Sequence, residues 1–198
     1  EIWLNAILSG PKTHIINAVT NAANALFSPI ERAGAASVER VLAPLQRRQV
    51  QRFFSEVAPD ITGAFAGVDE GARAALSTMR HGINPASASK WEFRREAFKG
   101  PLGRAIRTPG TMLEPADSFF YSINYSSALN ANIVRQARAE GLKGAALVER
   151  IAELKANPTA TLIKQSGDAA QYRLFRQPLG TTSSAIMRAR DEVPGARF

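Results

Sequence analysis

The sequence predicts an all-α fold, an irregular multi-helix bundle of about seven to ten helices with no sheet. Three observations predict it. Apolar residues recur at three- and four-residue spacing along most of the chain, and no useful length alternates with period two. Pro and Gly breakers separate those stripes at intervals of roughly 10–25 residues. Alanine supplies much of the 45% hydrophobic share while aromatics are only 8%, which suits close helix packing because Ala costs least in a helix.

Taken in order, Ile2 to Leu8 forms a short helical segment with Ile2, Trp3, Ala6 and Ile7 on one side, stopped by Ser9-Gly10-Pro11. Pro11 suits the first turn of a second helix reaching Phe27, whose broad face carries Ile15, Ile16, Val19, Leu26 and Phe27. Ser28-Pro29 predicts a break and a new helical stretch from Ile30 to about Val57, itself kinked at Pro44. Its inward stripe is Val38, Val41, Leu42 and Leu45, then Val50, Phe53, Phe54 and Val57. Asp60 is placed to cap a helix over Ile61 to Arg80. Within it Gly63, Gly67 and Gly71 leave a smooth strip for another helix backbone, while Asp69, Glu70 and Arg73 exclude a simple membrane span.

His81 to Ser89 reads as a loop and Lys90 to Phe98 as a short helix, followed by an irregular stretch through Gly110. The longest helix is expected over Glu114 to Glu140, with Phe119, Phe120, Ile123 and Val134 in the main core and Gly141 ending it. Lys143 to Ala156 follows, with Leu147, Val148, Ile151 and Leu154 inward and Asn157-Pro158 as its stop. Helices over Thr159 to Phe175 and Thr182 to Arg190 complete the chain. The expected organisation is one continuous module with an N-terminal region of broken helices, 1–110, and a C-terminal region, 111–198, built on the long helix.

Composition narrows the chemistry. The chain has 198 residues and no cysteine, which excludes disulfides, zinc-thiolate sites and thiol nucleophiles. His14 and His81 lie far apart without a second ligand at metal spacing. No phosphate loop or dinucleotide fingerprint occurs. Acids such as Glu31 and Glu39, or Glu149 and Glu153, sit near arginines as solvated pairs rather than as carboxylates facing one groove. No catalytic, cofactor or metal residue is therefore assigned, no small-molecule substrate is expected, and this segment reads as non-enzymatic. The beginning at Glu1 and the end at Pro194-Gly195-Ala196-Arg197-Phe198 read as cuts in something longer.

The formal charge of +8 favours a polyanionic partner. Arg47, Arg48 and Arg52 form one group, Arg94 and Arg95 a second, Arg104 and Arg107 a third, and Arg173 and Arg176 follow. These are candidate contacts for non-specific DNA binding, and equally the solvated faces of helices. Lys90-Trp91-Glu92-Phe93-Arg94-Arg95 and Tyr172-Arg173-Leu174-Phe175-Arg176 interleave aromatics with cations, as stacking platforms do and as core aromatics beside surface arginines also do. The N-terminal apolar faces must dock on something: the module's own core, or else another copy, another protein, or a membrane interface in which Trp3 and Ile7 would sit while Lys12 and protonated His14 meet lipid phosphates.

The stretch Glu1-Ile2-Trp3-Leu4-Asn5-Ala6-Ile7-Leu8-Ser9-Gly10-Pro11-Lys12-Thr13-His14 with Asn17 and Asn21, the stretch Arg107-Thr108-Pro109-Gly110 with Leu113, Ala116-Asp117, Phe119-Phe120 and Arg135-Gln136-Ala137, and Tyr172 to Gly180 with Pro194-Gly195-Ala196-Arg197-Phe198 resemble segments of very large phage proteins. These are the large polyvalent and internal virion, or ejection, proteins of short-tailed phages. The resemblance covers most of the chain and rests on structural rather than catalytic motifs. It implies a helical scaffold segment packaged in the virion interior, delivered to the host envelope (periplasm) or cytoplasm, and helping to form the DNA-ejection conduit. Its implied partners are other copies, other ejection proteins, and the portal or tail. The same resemblance also admits a non-catalytic part of a virion lytic transglycosylase or virion RNA polymerase polyprotein.

Overall fold

The computed structural model describes residues 11–81 and 113–174. They form five α-helices and one 3-10 turn, with no strand among the described residues: α1 Pro11–Leu45, the turn Phe54–Glu56, α2 Val57–His81, α3 Leu113–Ala139, α4 Gly144–Ala156 and α5 Ala160–Arg173. The helices expected over residues 2–8, 90–98 and 182–190 lie outside the described residues.

α1 departs most from expectation. Ser28-Pro29 does not break it, and both Pro29 and Pro44 lie inside one 35-residue helix. An interior Pro forfeits one ladder hydrogen bond at a cost of about 3 kcal/mol. Here the turn around it is pinned from outside: Ser28 Oγ and Arg32 Nε, on either side of Pro29, both donate to the Asp60 carboxylate of α2, at 2.6 and 2.9 Å. Nor does helix continue to Val57. Arg47 takes a left-handed φ of 51°, its N–H bonds Pro44 O at 3.1 Å, and the Arg48 N–H bonds Ala43 O at 3.0 Å. That pair of bonds is a Schellman termination with Arg in the position usually held by Gly.

α2 likewise starts four residues before the expected Ile61, so Asp60 lies in its first turn and does not cap it. Glu56 serves the entry instead, its Oε1 accepting the Phe53 N–H at 2.8 Å.

α3, α4 and α5 sit within one or two residues of their expected limits. Gly141, at φ 78°, turns the chain out of α3, and Thr159 caps α5 by accepting the Leu162 N–H at 3.2 Å. Ile133 and Ala137 of α3, Leu147 and Leu154 of α4, and Leu162 of α5 form the apolar cluster, with Leu129, Leu142 and Ile151 packed against it. Ile123 and Val134 are buried as expected. Phe119 and Phe120 are half-buried and meet edge to face with centroids 5.2 Å apart. Val148 is exposed rather than inward, because α4 packs on α3 through one narrow row.

The most extensive helix contact is not this apolar cluster but the antiparallel seam between α2 and α3. Gly63, Gly67 and Gly71 make it possible. A Cβ on Gly63 would lie 2.5 Å from the Ser126 carbonyl oxygen, one on Gly67 2.8 Å from Ile123 Cα, and one on Gly71 2.7 Å from the Phe119 carbonyl oxygen. The two backbones therefore touch, as the four-residue glycine spacing predicts.

Candidate functional site

Behind the glycine seam lies a buried ionic cluster that joins α1, α2, α3, α5 and the 3-10 turn. Asp60 accepts from Ser28 Oγ at 2.6 Å, Ser127 Oγ at 2.5 Å and Arg32 Nε at 2.9 Å. Arg173 Nη2 stands 3.6 Å from the same carboxylate, while its Nη1 donates to Ser127 Oγ at 3.1 Å. Four residues before Asp60, Glu56 accepts Arg32 Nη1 at 3.3 Å and Arg135 Nε at 2.9 Å. Asn24 of α1 closes the ring by donating to the Arg173 carbonyl at 3.0 Å.

Local sequence explains how each helix reaches the cluster. Ser28 and Arg32 are one turn apart on α1, Glu56 at the end of the 3-10 turn is four residues before Asp60 in the first turn of α2, and Ser127 and Arg135 are two turns apart on α3. Burial raises the Asp60 pKa, and the Arg32 charge, the Ser127 and Ser28 hydroxyls and the Arg173 charge more than reverse it, so the group sits below the ordinary carboxylate range. Burial lowers Arg173, with Asp60 opposing that shift. Bonds from Ser28, Arg32 and Ser127 hold the Asp60 carboxylate in place, so the cluster ties α1, α2 and α3 together. Among the described residues no group of three His, Asp or Glu could hold a metal ion, and no helix is long and apolar enough to cross a membrane.

A second feature faces the other way. The inward faces of α1 and α2 are polar or small: Asn21, Ser28, Ala36, Glu39 and Ala43 on α1, and Asp60, Gly63, Gly67, Gly71 and Thr78 on α2. Their large apolar side chains point outward. On α1, Leu26 is 75% exposed and Ile30 63%; on α2, Phe65 is 74% exposed and Met79 62%. Val38, Val41, Leu42 and Leu45, expected inward, are also exposed, and with Ser37 three of them edge a shallow open groove. The reason is that Ser28, Arg32 and Glu39, which bond α2 and the chain after α1, lie on the opposite side of the helix and fix which face turns in.

The expected interaction residues divide accordingly. Lys12, Arg47 and Arg52 are exposed. Arg48 is engaged with Glu39, both guanidinium nitrogens Nη1 and Nη2 donating at 2.5 and 2.9 Å; that contact and the Gln51 N–H hold the Glu39 carboxyl at about 2. Glu39 is thus buried and paired rather than a solvated acid. Arg173 points into the cluster and not to a polyanion, because Asp60 and Ser127 hold it there. His14 lies in the first turn of α1, its side chain outside the described set. Trp3, Ile7, Arg94, Arg95, Arg104, Arg107 and Arg176 lie outside the described residues. Sequence reasoning did not single out Arg32 or Glu56; the available signal was the one-turn pairing of Ser28 with Arg32 and of Glu56 with Asp60.

Comparison with protein-family models, with curated proteins and with solved structures returns no match to this chain.

Proposed function

We propose that this chain is a structural assembly module, and that it serves within an internal virion or ejection protein of a short-tailed phage, packaged with the genome and helping to line its exit. The observation that carries the assembly reading is the inverted amphipathicity of α1 and α2. Two helices spend their small and polar faces on one another and on α3, and leave large apolar rows in water. Soluble monomers rarely expose contiguous apolar surface of this kind, and where they do it marks an interaction site. The virion assignment rests on the resemblance of the segments around Trp3, Arg107 to Phe120 and Tyr172.

The arginines also support scaffolding over DNA binding. Arg32, Arg48, Arg135 and Arg173 are engaged by carboxylates within the chain, so these guanidiniums are already occupied, although the net charge of +8 already counts those carboxylates. Mass spectrometry of purified particles tests the virion reading. Peptides of this chain are expected in full virions of the phage that encodes it and depleted from particles that have released their DNA. Equal recovery from both, or absence from full particles, would overturn it.

A further inference from the structure

We propose that the outward face of α1 is an interface between two copies of this chain, packed antiparallel about a two-fold axis at Ile30. The proposal rests on the assembly reading above and not on the virion assignment.

The apolar row has a definite period. Ile15, Ile16 and Val19 recur eleven residues later as Leu26, Phe27 and Ile30, and Val38 and Val41 follow after another eleven. An 11-residue repeat corresponds to about 3.67 residues per turn, close to the roughly 3.6 of an α-helix, so the stripe drifts only slowly around the helix and can keep facing one partner. From Ile15 to Leu45 the stripe is about 45 Å long at 1.5 Å per residue. A face of that length and regularity fits another helix of equal length.

The spacing is also palindromic. With Ile30 on the axis, Ile15 falls opposite the second copy's Leu45, and Val19 opposite its Val41. Leu26, the knob of the row, falls opposite Gly34. Gly34 is the one glycine of α1, and no atom of the described residues lies within 4 Å of the position its Cβ would take. Among the described residues nothing requires a glycine there, although Gly costs an exposed helix about 1 kcal/mol relative to Ala. A notch in register with a knob is the self-complementarity an isologous two-fold contact demands. Pro29 lies about 100° around the helix from Ile30, off the stripe.

Area supports a stable pair. Nine large apolar side chains of α1 are more than half exposed; at about 100 Å² each they offer about 900 Å² per copy, against the about 800 Å² per partner of a standard interface.

The experiment uses the full 198-residue chain. Analytical ultracentrifugation at micromolar concentration is expected to show a dimer. Gly34→Leu should make it monomeric with undiminished helicity by circular dichroism, since a Cβ there meets no atom among the described residues and Leu is a better helix former than Gly. Because the chain has no cysteine, single introduced thiols report geometry: Ile30→Cys should cross-link to itself, and Val19→Cys should cross-link to Val41→Cys in preference to itself. A wild-type chain that stays monomeric at about 100 μM, a concentration that populates even modest dimers, would overturn the proposal. So would a Gly34→Leu dimer, or Val19→Cys cross-linking chiefly to Val19→Cys. Monomer that floats with phosphatidylglycerol vesicles would assign the face to lipid instead. A monomeric chain recovered from virions contradicts this interface alone; a dimeric chain absent from virions contradicts the virion assignment alone.

Discussion

Asp60 has no exposed side-chain surface, yet it remains ionised because two guanidiniums and two hydroxyls face it. Removing it leaves Arg32 with only Glu56 and strips Arg173 of its one carboxylate contact in the cluster. Breaking a buried ion pair on one side costs about 3–5 kcal/mol. Asp60→Ala is expected near the lower end, read as a fall in the urea midpoint, because Arg32 keeps Glu56. A loss under about 1 kcal/mol, the worth of a surface pair, would show that the cluster is solvated. The pH dependence follows from the same group. Its pKa is depressed on folding, so the unfolded chain takes up the proton first as pH falls. The stabilisation is therefore complete above the ordinary carboxyl range near 4 and is lost as pH drops through the folded value. Glu39, held at about 2 by Arg48 and the Gln51 N–H, acts in the same direction. Urea midpoints should be flat from about pH 7 to 5 and fall between about pH 4 and 2. Asp60→Asn should fall less steeply over that window.

Glycines separate the two kinds of helix contact. At Gly63 an added Cβ meets backbone of α3, which cannot rotate aside, so Gly63→Ala must part α2 from α3. Overpacking of this kind costs about 1–3 kcal/mol, which exceeds the about 1 kcal/mol that Ala returns in helix propensity. Thermal melts of the chain diluted to monomer should therefore show Gly63→Ala destabilised and Gly34→Ala, which meets no described atom of its own chain, stabilised. The reverse order would contradict the seam. Element limits were legible where local signals suffice. Gly141, Asn157-Pro158 and regular apolar stripes delimit α3, α4 and α5 in the sequence itself. Pro29 misled because its cost is offset by bonds from Ser28 and Arg32 to Asp60, a residue 28 to 32 positions away that no local pattern contains. The glycine strip was read correctly from spacing alone. The ionic cluster was not, since Glu56 and Asp60 look like any acids one turn apart until α1 and α3 close over them.

On the scale of the whole molecule, two sorts of cohesion divide the chain. The half built from α4, α5 and the C-terminal part of α3 has an ordinary apolar cluster around Ile133, Leu154 and Leu162. The half built from α1, α2 and the N-terminal part of α3 is held by charge, hydroxyls and close backbone contact, and turns its apolar residues outward. Sequence periodicity identified those apolar faces but assumed that they point into the chain's own core, an assumption valid only when the chain is the whole assembly. The central claim is that α1 and α2 present these faces to solvent until a partner covers them. Hydroxyl-radical footprinting of the dilute chain tests it most directly. Phe27 and Phe65, together with Met79, should be oxidised at rates near those of the unfolded chain, while Leu154 and Ile133 are protected, and raising the concentration should protect Phe27. Protection of Phe27 and Phe65 at a dilution where sedimentation shows a monomer would mean that the chain covers these faces itself, and would contradict the account.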